Sequence, residues 1–155
     1  MDEAVKVLVV RHADAGDRER WTRPDEERPL SKKGHKQAAG LVERLKPYAI
    51  RHVATSPYVR CRQTLEPLAA ALGLPLVEVD VLAEGHSYSQ ALDVAAQLGG
   101  HAVLCTHGDV TADMLDALLD AGVVRAPAKS PKGSTWVLDV NDGLVTKAEF
   151  LPAPD

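Results

Sequence analysis

Four side chains of this sequence have the chemistry to bind and attack a phosphoryl group: Arg11, His12, Arg60 and His107. Each guanidinium offers a planar, permanently charged set of donors that matches the oxygens of a phosphate. An imidazole has an ordinary pKa of about 6.5, so much of it is neutral and nucleophilic near pH 7. Gly108 opens a predicted helix directly after His107, and the free N–H groups of a helix start favour an anion. The set therefore predicts phosphoryl binding with covalent attack by a histidine.

These residues follow predicted strands at the points where the strands end. The six predicted strands are short apolar or alternating runs at residues 5–10, 51–55, 76–79, 101–106, 134–140 and 144–151. Arg11-His12 follow the first strand, Ser56 leads to Arg60 after the second, Glu84 follows the third and His107 follows the fourth. Ligands of open α/β sheets collect outside the carboxyl ends of the strands. We therefore expect these side chains to meet at one edge of the sheet.

Four predicted helices alternate with the strands, at residues 31–46, 56–72, 87–98 and 108–119. Ser31 is a predicted N-cap, Pro57 suits a first helical position, and Ser87 with Gln90 forms a predicted capping box. Alternating strands and helices indicate a mostly parallel sheet, and Asn141-Asp142-Gly143 predicts a final hairpin. We expect one domain over residues 1–155 with an α/β fold. It is a three-layer sandwich whose mostly parallel central sheet has helices on both faces and an antiparallel C-terminal hairpin at its edge.

The composition is that of a soluble globular protein, with 155 residues that are 45% apolar and 26% charged. Only 4% are aromatic, which argues against a stacking platform for single-stranded nucleic acid. The sequence has no apolar run near the ~20 residues of a membrane helix, no basic signal-peptide start and only two cysteines, so we expect a cytoplasmic location. Residues 1–75 carry 14 basic and 10 acidic side chains, against 4 and 12 in residues 76–155. This asymmetry fits either a basic patch for an anionic partner or charges that simply cover solvated helix faces.

Three motifs resemble those of one known family. LVVRHADAG resembles its Arg-His pair after the first strand, SPYVRCRQT its Ser-Pro-x-x-Arg-x-x-Gln-Thr helix start, and RPLSKKGHKQA the start of its first helix. With His107 after a later strand, the chain is similar to the histidine phosphatase superfamily, which has a phosphoglycerate mutase-like fold. In its short length the chain resembles the phosphohistidine phosphatase branch of this family. Ala13 stands where the family usually has Gly, which is a mild departure.

The resemblance implies a role for each matched residue. His12 would be the nucleophile that becomes phosphohistidine, and Arg11 and Arg60 would hold the phosphoryl oxygens. His107 would complete the phosphate site, together with Gly108, and stabilise charge in the transition state. By the same comparison Ser56, Gln63 and Thr64 are predicted to serve in the helix start and in packing.

The general acid and the role of the loop arginines stay open in the sequence. Some branches of the family place a Glu after the third strand, for which Glu84 is the match, and others an Asp beside the second His. Here Asp109 comes one position late, so Glu84, Asp109 or no dedicated acid are all possible. The stretch DAGDRERWTRPDEERPL also resembles the phosphatase half of certain two-domain Nudix hydrolases that act on nucleotides. Three arginines of this stretch, Arg18, Arg20 and Arg23, could either bind substrate or pair with neighbouring acids.

The expected function is a phosphatase that works through a phosphohistidine on His12 without metal or cofactor. A protein phosphohistidine is one candidate substrate; the alternatives are a nucleotide or small phosphometabolite, or a phospho-ligand-binding domain without turnover. A metal-dependent hydrolase built on His12, Asp14, His107 and Asp109 is disfavoured because two adjacent arginines would repel the cation. We expect a phosphorylated protein or metabolite as partner, no nucleic-acid polymer, no membrane, and a monomer or weak dimer.

Overall fold

A computed structural model describes residues 4–155 as a six-stranded sheet with four α-helices. The elements in chain order are β1 (Val5–Arg11), α1 (Lys32–Leu45), β2 (His52–Thr55), α2 (Val59–Leu72), β3 (Leu76–Glu78), α3 (Tyr88–Leu98), β4 (Ala102–Thr106), α4 (Gly108–Asp120), β5 (Thr135–Asn141) and β6 (Leu144–Leu151). The strand order is β3-β2-β4-β1-β5-β6. The first four strands are parallel, and β5 and β6 run antiparallel at one edge. The predicted fold class is confirmed.

Alternate residues of the strands supply two apolar cores, one on each face of the sheet. In β1, Val7 and Val9 face a core shared with α3 and α4, whereas Leu8 and Val10 face a core shared with α1 and α2. This alternation follows from the two-residue period of a strand. Fully burying each such side chain contributes about 1.5–3 kcal/mol, so both layers of helices are held by the same strand.

The site lies where these two layers diverge. The strands β1 and β4 are parallel neighbours, but β1 leads into α1 on one face and β4 leads into α4 on the other. Neighbouring strands whose connections leave toward opposite faces open a crevice at their carboxyl ends, where open α/β sheets bind ligands. His12 follows β1 and His107 follows β4, so both histidines lie at this crevice.

Most predicted helix ends agree with the structure, but the start of α2 differs. Ser31 accepts a hydrogen bond from the N–H of Gly34 at the start of α1, and Ser87 with Gln90 forms the predicted capping box. The second helix begins at Val59, so Pro57 does not occupy its first position and that prediction is wrong. The reason is that the chain directly after β2 is still tied to the sheet, because the N–H of Ser56 donates to the carbonyl of Cys105 at 3.0 Å.

The C-terminal hairpin brings a further turn beside the end of β1. Asp142 and Gly143 have φ of 50° and 79°, the conformation of the tight turn predicted there. The strand β5 pairs with β1 along Val5–Val10, opposite residues 135–140. Just before β5, the N–H of Gly133 donates to the carbonyls of both Arg11 and His12, at 3.1 and 3.0 Å. The turn that precedes β5 is therefore part of the site's surroundings.

Within residues 4–155, every helix is too short or too polar to cross a membrane.

Candidate active site

His12 is buried, neutral and held in one tautomer. It is 4% exposed, and its backbone N–H donates to the carbonyl of Thr106 at 3.0 Å. Its Nδ1 lies 2.8 Å from the carbonyl oxygen of Ala13; a carbonyl can only accept, so Nδ1 carries the proton. The pKa of His12 is lowered to about 3, mainly by burial. The hydrogen bond to the Ala13 carbonyl raises this pKa, whereas the positive charges of Arg60 and Arg11 lower it further. At pH 7 the Nε2 lone pair is therefore free to attack.

Arg11 lies over Gly108 at the mouth of the crevice. Its Nη1 donates to the carbonyl of Ser130 at 2.9 Å, and its buried Nε has no hydrogen-bond partner within residues 4–155. Burial lowers the pKa of Arg11, but a guanidinium remains charged in proteins. A Cβ on residue 108 would lie 2.7 Å from the Arg11 Nη2, so a side chain there would displace the guanidinium from its place over the start of α4.

Arg60 is fully buried behind the cavity, where two carboxylates hold it. Its Nη2 donates to Asp25 Oδ2 at 2.9 Å and to Glu84 Oε1 at 2.8 Å, and its Nη1 donates to the Asp25 carbonyl at 2.8 Å. Burial alone would raise the pKa of Asp25, but hydrogen bonds and charge from Arg28 and Arg60 hold it below its ordinary value. Among the described residues, Arg60 Nε has no partner.

His107 packs against His12 and is fixed by a serine. The two imidazole centroids are 5.5 Å apart, and His107 Nε2 lies 2.9 Å from Ser56 Oγ. Its buried Nδ1 has no hydrogen-bond partner in the described part of the chain and lies 3.5 Å from Glu84 Oε1. Ser56, predicted only to start a helix, therefore orients an imidazole of the site.

Glu84 and Asp109 both line the cavity, in different roles. Besides Arg60, Glu84 accepts a hydrogen bond from Arg18 Nη2 at 2.7 Å. The exposed Asp109 accepts from the N–H of Gly85 at 2.8 Å, so its carboxylate holds the loop that carries Glu84.

The loop arginines have acidic partners. Arg18 pairs with Glu84 and lies 3.4 Å from Asp25, and it lines the cavity. Arg20 and Arg23 are exposed and pair with Asp17 and Glu27 at 3.6 and 3.2 Å. Of these three, Arg18 alone lies at the cavity, and it is already neutralised there.

Short polar contacts lock the loop after β1 against the helices. Thr64 Oγ1 accepts from the N–H of Ala13 at 2.9 Å and donates to the carbonyl of Arg60 at 2.6 Å. Gln63 accepts from the N–H of Leu30 at 2.8 Å. The carboxylate of Asp14 accepts from Ser31 Oγ at 2.5 Å.

Within residues 4–155, no three His, Cys, Asp or Glu side chains are grouped so that they could hold a metal ion.

The cavity has a volume of about 520 Å³ and includes two cations that the sequence did not single out, Arg28 and Lys132. Its lining comprises Arg11, His12, Gly16, Asp17, Arg18, Arg28, Glu84, Gly108, Asp109 and Lys132. The Ser130-Pro131-Lys132-Gly133 stretch is a turn signal directly before a strand, but only the pairing of β5 with β1 places it at the site. Arg28 lies in a loop with no periodic signal.

Comparison with known proteins decides the family. Residues 7–89, more than half of the chain, match the family described as histidine phosphatase superfamily (branch 1). The chain belongs to the histidine phosphatase superfamily. An 8-oxo-(d)GTP phosphatase of Mycolicibacterium smegmatis is 37% identical over 157 residues, which cover 96% of this chain and 48% of that protein. The chain thus spans about half the length of this relative.

Solved structures share the fold at low identity. A candidate phosphohistidine phosphatase SixA from Agrobacterium tumefaciens is 24% identical, with a TM-score of 0.76 over 97% of this chain and 99% of that one. A mycobacterial glucosyl-3-phosphoglycerate phosphatase in complex with VO3 is 17% identical, with a TM-score of 0.70 over 95% and 97% of the two chains. Both likenesses concern the fold.

Proposed function

We propose that this chain is a metal-independent phosphatase that forms a phosphohistidine on His12. One observation carries the proposal. Around the free Nε2 of a neutral His12, buried nitrogens of Arg11, Arg60 and His107 have no partner within residues 4–155. Buried polar groups are normally paired, so three unpaired nitrogens around one imidazole indicate a site for an anion. A phosphoryl group satisfies them and presents its phosphorus to a nucleophile.

The first step transfers the phosphoryl group to His12. The Nε2 lone pair forms an N–P bond while the bond between phosphorus and the leaving oxygen breaks. Arg11, Arg60 and His107 stabilise the charge on the phosphoryl oxygens, and the carbonyl of Ala13 stabilises the positive imidazole through its Nδ1–H. In the second step a water attacks phosphorus, the N–P bond breaks, and inorganic phosphate leaves with neutral His12 restored.

Glu84 is the best-placed group to move the proton in both steps. It would protonate the leaving oxygen in the first step and take a proton from water in the second. As an ion-paired carboxylate it accepts hydrogen bonds from Arg18 and Arg60 and cannot donate. Both bonds fall on its Oε1, so a proton that Oε2 takes up from the substrate monoanion or from solvent can pass to the leaving oxygen, and Oε2 regains a proton from the attacking water in the second step.

Two substrate classes have separate support. A protein phosphohistidine is supported by the fold shared with a candidate phosphohistidine phosphatase. A nucleotide or another small phosphometabolite is supported by the 37% identity to an 8-oxo-(d)GTP phosphatase and by a cavity of about 520 Å³, a size typical of small-molecule sites. The higher identity and the cavity favour the small-molecule class.

The decisive experiment is to trap the intermediate. Rapid quenching with ³²P-labelled substrate should give an acid-labile, base-stable adduct, and peptide mapping should place it on His12. His12→Ala should abolish turnover of p-nitrophenyl phosphate, whereas His35→Ala, at an exposed position of α1, should not change it. Turnover should persist in excess EDTA. Near-normal turnover by His12→Ala would refute the mechanism, and binding of phosphate without any turnover would make the chain a phospho-ligand-binding domain.

A further inference from the structure

Lys132 is a cation in the cavity wall without an acidic partner. It is half-buried, and no carboxylate of residues 4–155 lies within 4.0 Å of its ammonium. The other three cations of the wall are already engaged. Arg11 donates to Ser130, Arg18 pairs with Glu84, and Arg28 pairs with Asp25 at 3.1 Å. The ammonium of Lys132 is therefore available to an anion bound in the cavity.

The backbone holds Lys132 close to the nucleophile. Residues 131–134 form a turn closed by a 3.0 Å hydrogen bond from the N–H of Ser134 to the carbonyl of Pro131. Gly133 has φ of 83°, as the third residue of a type II turn requires, and Lys132 is the second residue. The N–H of Gly133 donates to the carbonyl of His12 at 3.0 Å. Lys132 is therefore one residue from a direct backbone contact with the candidate nucleophile.

The acidic groups around the cavity are occupied elsewhere. Asp17 pairs with Arg20, Glu84 with two arginines, and Asp109 accepts from the N–H of Gly85. The pKa of Asp14 is lowered mainly by a hydrogen bond from Ser31. The positive charge of Lys132 contributes to the same lowering. Asp14 is thus the carboxylate that senses Lys132, but it lies beyond ion-pair distance, and its Oδ2 accepts hydrogen bonds from Ser31 and Gly16.

We propose that Lys132 binds a second anionic group of the substrate, adjacent to the phosphoryl group that is transferred to His12. The inference rests on the proposed function for the identity of the first group. A compact ammonium on a flexible stem suits a phosphate whose position varies between substrates. The substrate class is therefore a small molecule with a terminal phosphate linked to a second phosphate, as in a diphosphate ester. A phosphohistidine in a peptide has no such group.

Binding of two phosphonates tests this without relying on turnover. Methylenediphosphonate and methylphosphonate differ by one phosphonate group, and their C–P bonds resist hydrolysis. Calorimetry should show that the unmodified chain binds the diphosphonate at least about tenfold more tightly, the ratio expected from one charge-assisted contact. Lys132→Gln should remove most of this preference and Lys132→Arg should keep it. Lys129→Gln removes the same charge from an exposed position of the same loop and should leave the preference unchanged.

The outcomes separate this inference from the proposed function. No preference for the diphosphonate, or a preference that survives Lys132→Gln, would overturn the second subsite even if His12 is phosphorylated. An equal loss in Lys132→Gln and Lys129→Gln would also overturn it, because a general field effect would then explain the binding. Lack of p-nitrophenyl phosphate turnover would refute the phosphatase, but the binding preference would still decide the subsite.

Discussion

Individual side chains of the site are set by their immediate partners. The carbonyl of Ala13 fixes the proton of His12 on Nδ1, and burial keeps the ring neutral, so the reactive nitrogen is available without a separate base. Asp25 and Glu84 hold Nη1 and Nη2 of Arg60, and its Nε has no partner within residues 4–155. In the proposed mechanism a phosphoryl oxygen therefore binds this guanidinium beside the two carboxylates.

Arg60→Lys should lower kcat/KM for p-nitrophenyl phosphate at least tenfold, or about 1.4 kcal/mol of transition-state stabilisation. An ammonium cannot reproduce the planar fork that reaches Asp25, Glu84 and a phosphoryl oxygen together. Steady-state kinetics would measure the loss. The matched control is Arg62→Lys two residues later, because the side chain of Arg62 is 42% exposed and pairs with Glu66 and Glu78 outside the cavity. Equal losses in both variants would contradict the assignment.

Glu84→Gln should separate substrates by their leaving groups. With an alkyl phosphate, whose leaving oxygen is strongly basic, kcat should fall about 100-fold, because a general acid typically contributes 10²–10⁴-fold. With p-nitrophenyl phosphate kcat should change much less, and KM should fall because a carboxylate beside the phosphate site has lost its charge.

Asp109→Asn is the companion variant for this prediction. If it, and not Glu84→Gln, shows the dependence on the leaving group, Asp109 is the acid. A uniform loss with Glu84→Gln on both substrates would instead mean that Glu84 orients Arg60 and Arg18.

At the scale of elements, the first turn of α1 positions the loop that follows His12. A Cβ on Gly34 would lie 1.9 Å from the carbonyl oxygen of Asp14, so the helix approaches this loop at a distance that only glycine permits. The Asp14 carbonyl also accepts from the N–H of Ser31 at 2.9 Å, and the Asp14 N–H donates to Gln37 at 2.9 Å. Helix α1 and its N-cap therefore hold the backbone of the loop that follows the candidate nucleophile.

Gly34→Ala should destabilise the protein and lower activity, although alanine in a helix is ordinarily about 1 kcal/mol better than glycine. The contact is with backbone, which cannot move away as a flexible side chain can, so we expect a net loss of about 1–3 kcal/mol. Chemical unfolding and p-nitrophenyl phosphate kinetics would measure both effects. Lys36→Ala, at an exposed position of the same helix, is the control for helix propensity. A gain in stability from Gly34→Ala would contradict the close approach.

For the whole molecule, the buried neutral His12 makes folding depend on pH. The pKa of His12 is about 3 in the folded state and about 6.5 when unfolded. Above pH 6.5 neither state binds a proton there, so the group contributes nothing. As the pH falls below 6.5 the unfolded chain gains a proton that the folded chain does not gain until about pH 3, so stability is lost.

The unmodified chain should therefore lose about 2 kcal/mol more unfolding free energy between pH 7 and pH 5 than His12→Gln, which lacks this group. Urea titrations at both pH values give the comparison, because every other titrating group is common to the two proteins. His35→Gln removes an exposed imidazole and should behave like the unmodified chain. The same pH dependence in His12→Gln would show that His12 titrates normally in the folded state.

Short-range patterns predicted most helix and strand bounds and placed several candidate residues at one edge of the sheet, but they missed the start of α2 and the cavity cations Arg28 and Lys132. Ser31 and the Ser87–Gln90 pair mark helix starts because capping is local, and Arg11, His12 and His107 were found because parallel strands end at one edge of the sheet.

Tertiary structure decided which charges face each other and which stay free. Asp25 reaches Arg60 across 35 residues of chain, and Lys132 reaches the cavity because β5 pairs with β1. The low pKa of His12 likewise comes from burial and distant charges. Capping and periodicity act within a few residues, whereas ion pairing and desolvation depend on distances that exist only after the chain has folded.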